Sequence, residues 1–365
     1  MMNRTKKQHY ISNSILDIFF KTNRIHEYNL NEHIDYDCST GKSMCCTDIY
    51  ECGLFKDNKL EDAFAQLYDG QFANTLSKID SFLLNKQVES AIDLLRHNFY
   101  YYLVSYYKSL ASLVRLSKND KHTLDKNKAT TRMFELITDI AYMKKMSVIL
   151  TNCYDIYIIK SWKSNFVLSD QFISTVSNYF NGMFSNISNR DIGVKGSIIL
   201  FPVSVDFYFL LYDKTMSKSI DKSQNSINIL SEQETEKINN IIYNNATEKV
   251  CTIRGEKYSF INVNSFGDEF VFMFYSNHSS AGYIKKKEIF YSEEEQEVYE
   301  MFGNLEWGKY TKLGRNEKCF CGSNKKFKNC CYEKVERCKS IIINIKNNSL
   351  SEKSVIDKLF GLEKS

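Results

Sequence analysis

The stretch "GSIILFPVSVDFYFLLYD", residues 196–213, decides the fold class. Its β-branched and aromatic side chains suit a pleated, half-buried surface. It also holds the single proline of the chain, Pro202, and reads as two short strands with a turn near Val203 and Ser204. Upstream the pattern is helical. In "LEDAFAQLYDGQFANTLSKIDSFLL" (residues 60–84), Leu60, Ala63, Phe64, Leu67, Phe72, Leu76, Ile79 and Leu83 recur mostly every three or four residues, with Gly70 as the site of a kink. A second helix is predicted from Val88 to Leu116 and a third from about Ala129 to Leu150, joined by the polar loop "SKNDKHTLDKNK". The opening segment, through about Ala63, reads as irregular structure with a short helix and a strand. Downstream, Ser231 followed three residues later by Glu234 opens a helix over "SEQETEKINNIIYNNA". Short strands are predicted at "KVCTI", "SFINV" and "FVFMFY", then a charged helix from about Ser292 to Phe302. The expected class is therefore α+β, mainly helical in the first half and mixed in the second.

With 365 residues, 43% of them hydrophobic, the chain can bury a sizeable core. Its 48 Lys and Arg nearly balance 44 Asp and Glu, so a net charge of +4 excludes a polyanion binder that acts by overall charge. Any basic surface must be local. The opening "MMNRTKKQHY" leads into no apolar signal core, and no stretch approaches the roughly 18 apolar residues of a membrane-spanning helix. The expectation is a soluble, cytoplasmic protein. In a reducing compartment its 11 cysteines read as metal ligands where clustered and as buried thiols where scattered, as at Cys153, Cys251 and Cys338.

One cluster dominates. In "CFCGSNKKFKNCC" (residues 319–331) Cys319, Cys321, Cys330 and Cys331 follow the spacing C-x-C-x8-C-C. Four thiolates in one short loop satisfy a tetrahedral Zn²⁺, and the metal then replaces the core that so short a segment cannot build. Gly322 suits the tight turn that brings the chain back. Four sulfur ligands close the coordination sphere, so the zinc is expected to be structural and not catalytic. Around it Arg315, Lys318, Lys325, Lys326, Phe327 and Lys328 form a basic, aromatic surface against one acid, Glu317. A second set, Cys38, Cys45, Cys46 and Cys52, is spaced C-x6-C-C-x5-C and leaves a further metal site open, with incidental thiols as the plainer reading.

The segment "GRNEKCFCGSNKKFKNCC" (residues 314–331) resembles the SEC-C motif, a short zinc-binding element found at the ends of many bacterial proteins. It shares the Gly-Arg-Asn lead, C-x-C-Gly-Ser, a basic-aromatic-basic centre and the closing Cys-Cys, and departs at Lys318, Phe320 and Asn324, where proline, proline and glycine are usual. The resemblance implies docking, with Arg315, Lys325, Lys326, Phe327 and Lys328 meeting a protein or ribonucleoprotein partner. The expected organisation is a body over 1–310, a zinc knob over 314–332 and a lysine-rich, amphipathic tail over 335–365.

The body also bears a resemblance. Lys6, His9, Tyr10 and Ile11, then Leu60 and Glu61, Ser169 and Asp170, and "ILFPVSVDFYFLLY" (residues 199–212) are similar in order and spacing to motifs of a large uncharacterised bacterial family. Its members begin Lys-x-x-His-Tyr-aliphatic-Pro and carry a Leu-Glu helix start, a Ser-Asp-Asn-Pro motif and an aliphatic-Phe-Pro strand. Here Ser12 replaces the early proline, Gln171 and Phe172 replace Asn-Pro, and Tyr68 stands where a second helical acid is usual. A polar site of His9, Glu61 and Asp170 would supply an acid, a base or metal ligands for phosphodiesterase-like hydrolysis. Structural roles compete: a helix cap for His9, a favourable helix N-terminus for Glu61 and a turn for Asp170. "STGKS" (residues 39–43) lacks the earlier glycine of a phosphate loop, Tyr36 standing there, and is set aside. Two functions follow. The leading one is a cytoplasmic zinc-binding protein that docks through its knob; the alternative is a hydrolase, a nuclease-like effector in bacterial defence. The sequence leaves open whether the body is an enzyme.

Overall fold

The computed structural model describes residues 7–53, 55–116, 126–177, 197–214, 222–256, 258–260, 265–266, 288–289, 310 and 312–350. The opening segment forms β1 (Lys7–His9), α1 (Asn13–Phe20), β2 (Arg24–Asn29), β3 (Ile34–Ser39) and β4 (Cys45–Thr47). Helices follow: α2 (Lys59–Phe64), a π turn (Ala65–Asp69), α3 (Gly70–Leu84), α4 (Val88–Leu116), α5 (Lys126–Thr138) and α6 (Ile140–Cys153). Next come β5 (Tyr154–Lys160), β6 (Leu168–Ser169), β7 (Ser174–Ser177), β8 (Ser197–Pro202), β9 (Phe207–Asp213), β10 (Ile227–Ile229), α7 (Glu232–Asn245) and β11 (Lys249–Ile253). A short pair, β12 (Ser265–Phe266) and β13 (Glu288–Ile289), precedes α8 (Tyr332–Leu350). The fold is α+β.

The sheets explain how distant segments meet. Strands β10-β5-β9-β8-β7 form one sheet, antiparallel apart from the parallel β10–β5 pair. The predicted two strands at 196–213 are β8 and β9, joined by a turn in which the amides of Val203 and Ser204 both donate to the Phe207 carbonyl. A second sheet, β3-β2-β11-β6, sets Glu27 opposite Cys251 and Leu168 opposite Cys251 on its other side. Strands β1 and β4 pair with His9 opposite Cys45.

Helix α4 is central. From Tyr101 to Val114 nearly every side chain is buried, as expected of a helix that is apolar all round, and α3, α5 and α6 pack on it. Aromatic rings tie it to the large sheet: Phe99 and Tyr102 lie 4.9 and 5.3 Å from Phe201, and Phe72 lies 4.8 Å from Tyr102. Such edge-to-face and tilted pairs add about 0.5–1.5 kcal/mol each beyond the area they bury.

Three expectations change. The helix expected over 129–150 is two helices, because Asp139 takes an extended conformation and its side chain caps α6 by accepting from the Tyr142 amide. The opening segment holds four strands, since β2 and β3 pair along their whole length. Gly70 marks the end of a π turn instead of a kink. Of the strand expected at "SFINV", Ser259 and Phe260 are described and are not in a strand while the rest lies outside the described residues, as do the strand expected at "FVFMFY" and the charged helix expected from about Ser292 to Phe302.

Candidate functional site

The cysteine segment folds into a small unit with its own core. Cys319 donates its amide to the Lys325 carbonyl and Phe327 its amide to the Glu317 carbonyl, so the chain doubles back across a bridge between Lys318 and Lys326. Gly322 (φ 80°) and Asn324 (φ 57°) adopt the left-handed conformations that this return requires. Asn324 meets the need where glycine is usual. Lys328 bonds the Arg315 carbonyl, and α8 starts directly after Cys331.

This folding brings the four sulfurs together. The Sγ atoms of Cys319, Cys321, Cys330 and Cys331 all lie within 4.8 Å of one another, with 3.3 Å between Cys321 and Cys330 and 3.8 Å between Cys330 and Cys331. A tetrahedron with metal–sulfur bonds of about 2.3 Å has edges of roughly 3.8 Å, so the donor set fits a divalent ion. The Ser323 hydroxyl and backbone hold the Cys321 thiol down to about 6, toward the thiolate a metal needs, while burial raises Cys331. Among the described residues no other cluster of metal-ligating side chains gathers this closely. Cys38, Cys45, Cys46 and Cys52 do not, and Cys52 is packed in the main core.

One surface residue must be corrected. Phe327 is 1% exposed, wedged between Tyr310 (5.8 Å) and Tyr332 (5.5 Å) with Cys319 and Val335 around it. It builds the knob and does not face a partner. Phe320, 55% exposed, is the outward aromatic, and Arg315, Lys318, Lys325, Lys326 and Lys328 are exposed with it.

In the body, His9 and Glu61 lie in the field of one buried ion pair. Lys108, 2% exposed on α4, sets its Nζ 3.2 and 3.1 Å from the two Asp69 oxygens and 4.7 Å from the centre of the Phe64 ring. Burial pushes the Glu61 carboxyl up to about 7; Lys108 pulls against that rise, and Asp69 and Asp62 add to it. Burial lowers His9, and Lys108 lowers it further. The His9 carbonyl accepts from the Tyr50 hydroxyl (2.5 Å), and its Nε2 is buried without a hydrogen-bond partner. Gln8 and Glu51 fix the loop leading to α2: the Gln8 side chain accepts from the Tyr50 amide and donates to Asn58, and Glu51 takes the Asp57 and Asn58 amides.

Asp170 is used differently. Its buried carboxylate accepts from the amides of Thr247, Glu248 and Lys249 at 2.9, 2.6 and 3.0 Å, and its carbonyl accepts from the Ser109 hydroxyl. It fastens the turn before β11 onto the segment after β6. Next to it, buried Phe172 sits at φ 65°, a conformation that costs a bulky side chain about 1–3 kcal/mol.

Sequence reasoning missed Lys108 and Asp69. The available signal was a single lysine inside the apolar run "FYYYLVSYYKSLASLV" (residues 99–114). Asp69 was hidden by the π turn. Residues seven apart on an α-helix lie about 20° apart and residues eight apart about 80°, and the extra residue of a π turn brings Asp69 round toward the Glu61 face. Asp69, one residue past Tyr68, is the acid that pairs with Lys108.

Two families match this chain. Residues 7–254 match the family described as protein of unknown function (DUF4238), and residues 315–333 match the SEC-C motif. No curated protein and no solved structure matches it.

Proposed function

The chain belongs to the DUF4238 family, which matches about two thirds of its length, and we propose that this member is a zinc-binding protein that docks through its C-terminal knob. The single observation that carries the proposal is the gathering of four cysteine sulfurs within 4.8 Å inside a SEC-C motif. An all-thiolate, tetrahedral donor set selects Zn²⁺ among abundant divalent ions and leaves no position for a reacting water. The metal therefore organises a surface. Five exposed cations, Arg315, Lys318, Lys325, Lys326 and Lys328, flank exposed Phe320, with Glu317 the acid among them. Glu317 is partly occupied, accepting from the Gly314 amide. Such a surface suits an acidic protein or a ribonucleoprotein. Body, knob and lysine-rich tail are separate functional units in this scheme, and a cytoplasmic location, where thiols stay reduced and free to hold a metal, belongs to the same reading.

Metal analysis of the full chain under reducing conditions tests the first half. One zinc per chain is expected, lost when Cys319 and Cys321 are replaced by serine. A metal-free wild type overturns it. For the second half, Lys325→Glu, Lys326→Glu and Lys328→Glu together keep the zinc but release the partners captured by the wild type. Unchanged capture removes docking.

A further inference from the structure

Four sulfurs share the knob, but they do not share one environment. Cys319 is buried beside Tyr310, Cys330 and Cys331 are half-buried, and Cys321 is exposed. The exposed sulfur also has a close neighbour: 3.3 Å separates Cys321 Sγ from Cys330 Sγ, against 3.8 Å between Cys330 and Cys331. A disulfide bond is about 2.05 Å long, so the first pair closes by a movement of roughly 1 Å. The adjacent pair would have to close a small ring through its own peptide bond, against the planar trans preference of that bond. Cys321 and Cys330 instead flank the return loop. The bridge between Lys318 and Lys326 and the bond from the Lys328 amide to the Arg315 carbonyl already hold the two arms together.

Peroxides react with thiolates that water can reach. Metal binding requires the thiolate form, so in the loaded knob Cys321 is an exposed nucleophile with a resolving sulfur beside it. The same loop carries the cations of the docking surface, because Lys325, Lys326 and Lys328 lie between the two cysteines. Any change in how the loop is closed therefore reaches the surface that docks.

We propose that Cys321 and Cys330 are a peroxide-sensitive pair whose oxidation empties the knob and switches docking off, an inference that rests on the zinc-knob reading above. The Cys321 thiolate attacks one oxygen of hydrogen peroxide. The sulfur–oxygen bond forms, the oxygen–oxygen bond breaks and hydroxide leaves, so Cys321 becomes a sulfenic acid. The Cys330 thiolate then attacks that sulfur; the sulfur–sulfur bond forms, the sulfur–oxygen bond breaks and a second hydroxide leaves. Two thiolates have lost two electrons, one peroxide has gained them, and two protons from solvent turn the hydroxides into water. Cys319 and Cys331 are then the ligands left, too few for a site whose grip depends on four. A reductant reverses the change, as expected of a disulfide formed at an exposed position.

The test treats the full-length, zinc-loaded chain, freed of reductant, with hydrogen peroxide while a chromogenic chelator reports released zinc. Mass mapping of unreduced peptides is expected to find Cys321 joined to Cys330 in step with the release. Tris(2-carboxyethyl)phosphine with fresh zinc should restore the metal and the hydrogen-exchange protection of the Phe327 and Lys328 amides. Cys321→His keeps a set of three sulfurs and one nitrogen that zinc also accepts, and it is expected to release its metal about 10-fold more slowly or less. Cys153→Ser removes an exposed thiol outside the knob and should leave the release unchanged. Zinc retained in peroxide, a disulfide between any other pair, equally fast release from zinc-loaded Cys321→His, or release that needs Cys153 each overturns the proposal. A chain that holds no zinc before peroxide is added overturns the knob reading itself and this inference with it, so the two failures are read at separate steps.

Discussion

At the scale of single residues, Glu61 and Asp170 show one side-chain chemistry put to opposite uses. The Asp170 carboxylate is ringed by three amides, each a charge-assisted bond that stabilises a buried anion. Asp170→Ala leaves those donors without their acceptor, and a loss of about 3 kcal/mol or more is expected in urea unfolding. Glu61 is half-buried and its neutral form is favoured, with Lys108 from α4, Asp69 from the π turn, Asp62 from its own helix and Tyr50 around it. A carboxyl raised from 4.5 to about 7 contributes stability that is full below about pH 4.5 and is lost as pH rises through about 7. His9, facing Lys108, Asp69 and Lys7, is lowered from 6.5, so its contribution is present above 6.5 and lost as pH falls. Above pH 6.5 only Glu61 still changes the balance between them. Wild-type stability is expected to fall from pH 6.5 to 8, and Glu61→Gln to flatten that slope, gaining about 1 kcal/mol at pH 8 after allowance for solvent screening. Urea midpoints of both proteins at the two pH values decide it.

At the scale of elements, what the sequence disclosed depended on whether a feature altered the spacing of apolar residues. The capping box of α7 was legible because Ser231 and Glu234 are local, and the two bond reciprocally as predicted. Helix α4 and the β8–β9 pair were legible from composition and period. The π turn was not, since Leu60, Phe64, Phe72, Leu76, Ile79 and Leu83 keep a helical spacing around it, and neither was the break at Asp139, where conformation decides. In the knob the cysteine spacing disclosed the ligands, but an aromatic between lysines reads as surface until the fold turns it inward. Phe327 belongs to a core of very few side chains, so in the proposed reading a metal held by the four cysteines supplies what that core cannot. Chelating the zinc is expected to abolish hydrogen-exchange protection at the Cys319, Phe327 and Lys328 amides, which bond to Lys325, Glu317 and Arg315. Protection that persists without metal sinks the claim that zinc orders the knob.

Across the whole molecule, charge is nearly balanced, yet its basic groups are not evenly spread. The net charge is +4, while residues 315–328 alone hold five cations and one acid. A polyanion therefore meets a local field that the total conceals, and that field is visible in the sequence as well as on the surface. The polar groups of the body were only half visible, because His9 and Glu61 stand in the motifs quoted above whereas Lys108 is an isolated charge in an apolar helix, recognisable only when folding aims it at Asp69. Binding through the knob should have the ionic signature of a few fixed contacts. With five cations neutralised, log affinity for a single-stranded polyanion falls with log salt at a slope of roughly −3 to −4, or about 100-fold between 50 and 200 mM. Fluorescence anisotropy with a short labelled DNA strand measures this on the zinc-loaded chain. Reversing Lys325, Lys326 and Lys328 to glutamate should remove most of the slope while leaving the metal content at the wild-type level. A slope that survives the reversal would place the anion-binding cations elsewhere on the chain and detach docking from the knob.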